Sequence, residues 1–266
     1  DGSCEVFGCT DLYAMNYNPN ATDSTNCIKQ FDYINEGIIF DDLKTSNGVS
    51  WGDYDNDGFL DIFIANSGYN SLYHNTRSGS FESTSANIIN NSEDGNAGVW
   101  GDYNNDGYLD LFISVNGKKN KLFRYYRVQE EYSIYPILDG SIVNDIDNSV
   151  GASWIDMDND GLLDLLVVNY GGNNSLYHNN GGDTFMRITN GDIVDDISNS
   201  HSASWADYDN DGDMDLFVAN DGRNILYLND GGEFGTHFFF NNSGGNNLNP
   251  LNDSKGSSCA DFDNDG

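Results

Sequence analysis

The sequence predicts an all-β fold, a β-propeller of four-stranded blades preceded by a small cysteine-bounded segment, and three observations carry that prediction. The phrase Trp-Gly-Asp-Tyr-Asp-Asn-Asp-Gly-Phe-Leu-Asp at Trp51–Asp61 recurs, with small changes, at Trp100–Asp110, Trp154–Asp164 and Trp205–Asp215, and a fifth copy opens at Cys259. The copies begin 49, 54, 51 and 54 positions apart, and a fixed period near fifty residues marks a repeat architecture. Thirty glycines and many Asn-Gly, Asp-Gly and Gly-Gly pairs fit short strands joined by tight turns. No window sustains a 3.6-residue apolar period, so helices are expected to be few.

Composition narrows the function classes. With 43 acidic against 11 basic residues the chain carries a formal charge of −32. Nucleic acid is excluded as a partner because binding it needs a basic footprint, and an anionic membrane surface is disfavoured for the same reason. Hydrophobic residues make up 38% of the chain, but 16 Tyr and 15 Phe argue against disorder. No signal peptide and no transmembrane run is visible, so membrane insertion is not expected. The chain starts without Met and ends inside a motif, and it reads as a piece of a longer protein.

In chain order, residues 1–30 stand apart. Three of the four cysteines, Cys4, Cys9 and Cys27, fall here. In a small polar segment this density reads as a disulfide staple, and three cysteines allow three pairings. Paired spacings of the C-x₂-C kind that zinc needs are absent. The segment resembles a short cysteine-bounded repeat of secreted proteins, G-C-T-D-x-x-A-x-N-Y-N-P-x-A…C. That resemblance implies that Cys9 pairs with Cys27, that Cys4 closes a preceding copy, and that the setting is extracellular or periplasmic.

From residue 31 onward each unit reads as four strands. A Phe strand begins at Phe31, Phe81 or Phe185, about twenty residues before its Trp; a Gly-x-x-Trp strand follows. Next comes an apolar strand (Leu60–Ala65, Leu109–Val115, Leu163–Val168, Met214–Ala219), rich in β-branched and aromatic residues. A Leu-Tyr strand ends the unit, as in Asn70-Ser-Leu-Tyr-His-Asn75 and Asn174-Ser-Leu-Tyr-His-Asn179. Four antiparallel strands in fifty residues describe a propeller blade. Helical solenoids lack support, and the Gly-His and Trp-Asp marks of a WD40 blade are missing.

The repeated acids have a definite chemistry. In Asp53-Tyr-Asp55-Asn-Asp57-Gly58-Phe59-Leu-Asp61 they occupy positions 1, 3, 5 and 9, with Gly at position 6. Alternate side chains on a tight loop converge, Gly58 permits the turn, and the Phe59 carbonyl can face inward. Hard oxygen donors in a flexible loop suit Ca²⁺ better than Mg²⁺, and without thiolates or imidazoles in the loop zinc and copper are not expected. An EF-hand would place Glu at position 12 between helices, whereas Ile64 stands there and the flanks read as strands. A solvated acidic turn would not repeat four times at one spacing, and a catalytic carboxylate pair is needed once rather than four times.

This loop between strands, in units with Phe and Gly-x-x-Trp strands, resembles the FG-GAP/VCBS repeats of integrin-alpha-type propellers over about residues 31–266. The resemblance implies one Ca²⁺ per loop. Its ligands would be Asp53, Asp55, Asp57, Phe59 (main chain) and Asp61 in loop 1, and Asp102, Asn104, Asp106, Tyr108 (main chain) and Asp110 in loop 2. Loop 3 would use Asp156, Asp158, Asp160, Leu162 (main chain) and Asp164; loop 4 Asp207, Asp209, Asp211, Asp213 (main chain) and Asp215; and loop 5 Asp261, Asp263 and Asp265. Asn104 costs loop 2 one charge, and weaker binding is expected there. The resemblance also implies a ring of about seven blades, of which four complete units and one beginning are present, with the Phe31 strand at the outer edge of the last blade.

The four tryptophans are read as blade core, and Cys259, in the Trp position, as a small buried hydrophobe. His74 and His178 are read as structural, and His201 and His237 show no partners for a nucleophilic triad. The expected function is a secreted or surface-displayed adhesion or protein-interaction scaffold, not an enzyme. The alternatives are a carbohydrate-binding propeller using aromatics such as Tyr69 or Tyr170, or an accessory domain of a larger secreted enzyme. The partner is an extracellular protein or glycan.

Overall fold

The computed structural model describes residues 18, 37–84, 94–128, 131–229, 231, 240–241 and 254–258. The expected Cys9–Cys27 pair, Cys4, Cys259, the strand starting at Phe31, and Asp261, Asp263 and Asp265 lie outside the described residues. The chain divides into two compact units, Asp1–Asp42 and Leu43–Gly266. Within the first, the Phe40 amide donates to the Gly37 carbonyl at 3.0 Å and closes a turn.

Among its described residues the second unit is antiparallel β apart from two single-turn helices, and shows four repeats of one four-stranded sheet. Blade 1 comprises β1 (Ser46–Gly52), β2 (Asp61–Asn66), β3 (Ser71–Asn75) and β4 (Phe81–Ser83), and blade 2 comprises β5 (Gly95–Gly101), β6 (Asp110–Lys119), β7 (Lys121–Val128) and β8 (Glu131–Ile137). Blade 3 follows with β9 (Ile146–Ile155), β10 (Asp164–Asn173), β11 (Ser175–Asn179) and β12 (Phe185–Arg187), and blade 4 with β13 (Ile197–Ala206), β14 (Asp215–Asn220), β15 (Ile225–Leu228) and β16 (Phe240–Asn241). Two single-turn helices, α1 (Ser141–Asn144) and α2 (Asp192–Asp195), precede β9 and β13. The Phe strand therefore comes last in its sheet, at the edge beside the Leu-Tyr strand, and each Trp strand opens a blade.

Register explains why the motif sits at a turn. Trp51 pairs with Ile62, Trp100 with Leu111, Trp154 with Leu165 and Trp205 with Leu216. One residue later the first strand meets the last Asp of the motif: Gly52 with Asp61, Gly101 with Asp110, Ile155 with Asp164 and Ala206 with Asp215. Positions 1 to 8 are thus a hairpin loop between the first two strands. β6 and β10 run four and five residues past the apolar stretch and pair with the first strand of the following blade, through Asn116–Asn148 and Tyr170–Asn199 contacts.

The core lies between blades. Phe63, Ala65 and Leu72 of blade 1 pack on Leu111, Ile113 and Phe123 of blade 2. Phe112 and Leu122 meet Leu165 and Tyr177 of blade 3, and Leu166 and Leu176 meet Leu216 and Tyr227 of blade 4. Burying such side chains stabilises by roughly 1.5–3 kcal/mol each, so each blade depends on its neighbour. Trp100 and Trp154 bridge these seams, each also packing on an aromatic of its own blade, Tyr125 and Phe185. Trp100 stacks on Tyr54 of the preceding loop (centroids 6.4 Å apart, 18° between planes) and Trp154 on Tyr103 (5.8 Å, 12°). A Cβ on Gly52 or Gly101 would come within 2.8 or 2.7 Å of the incoming indole, so glycine is required there. Trp51 corrects the expectation of a buried blade-core residue: it is 55% exposed, because blade 1 has no preceding loop aromatic among the described residues to stack on.

Candidate metal centre

Each loop is folded by its own carboxylates. The position-1 Asp accepts from the amides of positions 5 and 6: Asp53 from Asp57 and Gly58 (2.9 and 2.8 Å), Asp102 from Asp106 and Gly107 (3.0 and 2.8 Å). Asp156 and Asp207 do the same. Position 4 is Asn in every described loop, with φ between 53° and 59° (Asn56, Asn105, Asn159, Asn210), and position 6 is Gly with φ from 86° to 97°. Asn tolerates the left-handed region better than other non-glycine residues, which gives both residue types a local reason.

The position-9 Asp anchors the loop to the blade. Asp61, wholly buried, accepts from the amides of Asn75 (2.8 Å) and Tyr54 (3.2 Å). Asp164 takes the amides of Asn179 and Met157, and Asp215 those of Asn229 and Tyr208. Loops are also tied to one another. The Asn56 amide donates to the Gly107 carbonyl (2.6 Å), Asn105 to that of Gly161 (2.8 Å), and Asn159 to Asp213 Oδ1 (2.9 Å).

The carboxylates left over converge. Asp53, Asp55 and Asp61 present oxygens within 4.8 Å of one another, as do Asp156, Asp158 and Asp164, and Asp207, Asp209 and Asp215. Burial pushes the Asp61 and Asp164 carboxyls up to about 6. Burial first, then the charge of the adjacent acid, also raises Asp55 and Asp158, and burial raises Asp215. Asp55 Oδ1 is buried without a hydrogen-bond partner, a costly state for a carboxylate oxygen unless a cation meets it. Clustered, all-oxygen and partly desolvated, this donor set fits a hard metal ion.

Loop 2 differs. Asn104 stands at position 3, accepts from the Asp106 amide and donates its own amide to Asp110 Oδ2 at 2.8 Å. Arg124 reaches Asp106 at 3.1 Å and Asp183 of blade 3 at 3.2 Å. Burial pushes the Asp110 carboxyl up to about 8.

Three side chains at one position of the third strand were passed over in the sequence as structural or unremarked: His74, Arg124 and His178, with Leu228 at the same place in blade 4. His74 Nδ1 lies 3.2 Å from both Asp55 Oδ2 and Asp61 Oδ1, and His178 Nδ1 lies 3.5 Å from Asp158 Oδ2 and 3.1 Å from Asp164 Oδ1. The available signal was the offset: each stands thirteen residues after the position-9 Asp, or fourteen for Arg124 and His178. Phe59, Tyr108, Leu162 and Asp213 occupy position 7, where the Phe59, Tyr108, Leu162 and Asp213 amides donate to the position-5 carboxylates.

The FG-GAP-like repeat family matches residues 29–113, 156–218 and 207–266. No curated protein matches the chain. Among solved structures, an Agrocybe aegerita lectin described by its specific recognition of non-reducing terminal N-acetylglucosamine is similar, at 17% identity and a TM-score of 0.46 over 72% of this chain and 50% of that one. The chain spans about half the length of that structure.

Proposed function

Since this chain belongs to the FG-GAP-like repeat family, we propose that it is a calcium-rigidified β-propeller acting outside the cell as a non-enzymatic scaffold for adhesion or protein interaction. The observation that carries the reading is the convergence of three carboxylates in each of loops 1, 3 and 4. Positions 1, 3, 5 and 9 and the position-7 main chain of loops 1, 3 and 4 would hold the ion, which supplies the positive charge that the buried acids call for. Extracellular Ca²⁺ is of the order of the 10⁻⁴–10⁻³ M affinities of extracellular modules, so weak sites fill and folding is linked to the ion. Because the position-4 Asn residues link one loop to the next, filling one loop stiffens its neighbours. Among the described residues no helix is long and apolar enough to cross a membrane, which fits a protein that meets its partner by a surface.

Thermal melting in Ca²⁺ and in chelator tests the reading. A melting temperature several degrees higher in Ca²⁺ supports it, and coincident curves contradict it. A second reading, glycan binding, is favoured by Tyr69, 54% exposed in the turn after β2, and Tyr170, 40% exposed near the end of β10. Binding on a glycan array that disappears in the Tyr69→Ala, Tyr170→Ala double variant would select it over protein adhesion.

A further inference from the structure

We infer that loops 1 and 3 form a second class of cation site, in which His74 and His178 add an imidazole nitrogen to the carboxylates and admit a transition metal of the zinc class. This inference rests on the proposed cation-binding role of the loops and deepens it.

Two features of loop 1 point to a shared ligand rather than an ordinary ion pair. His74 Nδ1 stands 3.2 Å from two different carboxylates, Asp55 and Asp61, yet it is a buried atom that makes no hydrogen bond to either. Its geometry is that of one donor atom beside others around a common centre. Nitrogen and oxygen ligands held at about 2.0–2.2 Å from one ion lie roughly 3.0–3.5 Å apart, which covers these spacings. Asp55, Asp57 and His74 also form a ligand group within 4.8 Å, and Asp158, Asp160 and His178 form its counterpart in loop 3. Arg77, which pairs with Asp57 at 2.9 Å and lies over the Phe59 ring, is an exposed side chain that a metal on Asp57 would have to displace.

The other two blades work as internal controls. Arg124 at the same strand position supplies a permanent cation to Asp106 and, unlike an imidazole, offers no nitrogen that could ligate a metal. Leu228 offers no donor, so loop 4 keeps only its oxygen ligands. Imidazole with carboxylate is a donor set on which zinc-class ions outcompete calcium, whereas calcium prefers oxygen alone. Four copies of one loop would thus be graded by a single residue: mixed-ligand in 1 and 3, self-neutralised in 2, hard-cation only in 4.

The test titrates the intact chain, saturated with Ca²⁺, with Zn²⁺ by calorimetry and follows Co²⁺ by its visible absorption. The His74→Gln, His178→Gln double variant is expected to bind two fewer zinc ions than the unmodified chain and to lose the nitrogen-ligated cobalt band. Leu228→His is expected to bind one more zinc ion. A zinc count unmoved by the double substitution overturns the inference, as does Leu228→His without an added ion. Melting in Ca²⁺ against chelator keeps the two readings apart. The double variant should retain the calcium shift, and zinc binding without any calcium shift would sink the calcium reading while leaving this one standing.

Discussion

Loops 1 and 2 follow the same backbone course in adjoining blades, with Asn56 and Asn105 at φ 53° and 56° and Gly58 and Gly107 at 89° and 86°. Both fold their position-1 Asp onto two amides and bury their position-9 Asp completely. They differ in how the buried charge is met. In loop 1 three carboxylates face one another and Asp55 keeps an orphan oxygen; in loop 2 Asn104 bonds directly to Asp110 and Arg124 covers Asp106. On the proposed calcium reading, the difference makes loop shape and metal binding separable. Backbone-to-carboxylate hydrogen bonds make the loop, and the residues at position 3 and on the third strand decide whether an ion is needed.

The largest effect follows from cutting that shared scaffold. Asp61→Ala and Asp110→Ala each strand two donors, the part-buried Asn75 and Tyr54 amides in one and the buried Tyr125 amide with the part-buried Asn104 side chain in the other. Leaving a buried donor unsatisfied costs about 1–3 kcal/mol and a part-buried one lies toward the low end of that range, so with two donors stranded both variants should lose roughly 2–4 kcal/mol in chelator by denaturant unfolding, Asp110→Ala the more. Only Asp61→Ala should also lose part of the calcium-dependent stabilisation.

Next in size, Asn104→Asp with Arg124→His converts loop 2 to the loop 1 pattern. One added site filled at a hundredfold excess over its Kd stabilises by about 2.7 kcal/mol. The double variant should show a gain of that order in Ca²⁺ and no gain in chelator, read from paired melts; an equal change in both would show that the residues act only on packing.

Acidity separates the loops further. A carboxyl raised in the folded state binds its proton there more tightly than in the unfolded chain, so its contribution is favourable at low pH and is lost as pH rises through the folded value. With Asp61 and Asp164 pushed up to about 6 and Asp110 to about 8, the chelated protein should lose stability from about pH 4 to 8. Asp110→Asn should remove the part of that loss that falls between about pH 6 and pH 8, above the range of Asp61 and Asp164. Calcium should reverse the trend, since protons and metal compete for the same oxygens. Unfolding at pH 5 and pH 8, with and without chelator, gives the four values needed.

The smallest effect belongs to Arg124→Ala. Its bridges to Asp106 and Asp183 are partly exposed, and such pairs contribute about 0.2–1 kcal/mol each. A loss near 1 kcal/mol, equal in Ca²⁺ and in chelator, is expected by chemical denaturation.

Much of this was legible in the chain because the determinants are local. The Asp spacing, the Gly at position 6 and the flanking strands are all read within eleven residues, and the repeat fixes the four-stranded blade. What escaped depends on contacts between blades. Trp100 stacks on Tyr54 of the preceding loop as well as packing on Tyr125 of its own blade, whereas Trp51 rests on Phe81 and stays 55% exposed. β6 and β10 outrun the apolar pattern because their polar ends pair with the next blade. His74, Arg124 and His178 meet the loop only once the third strand folds beside it, a distance of thirteen or more residues that no local motif spans.

The central claim is that loops 1, 3 and 4 hold calcium through their position-3 carboxylates while loop 2 is neutralised from within. Calorimetric counting of bound Ca²⁺ in two variants tests it directly. Asp55→Ala, Asp158→Ala, Asp209→Ala should bind three fewer ions than the unmodified chain, and Asn104→Ala should bind as many. A triple variant with an unchanged count, or an Asn104→Ala variant that loses an ion, would contradict the claim.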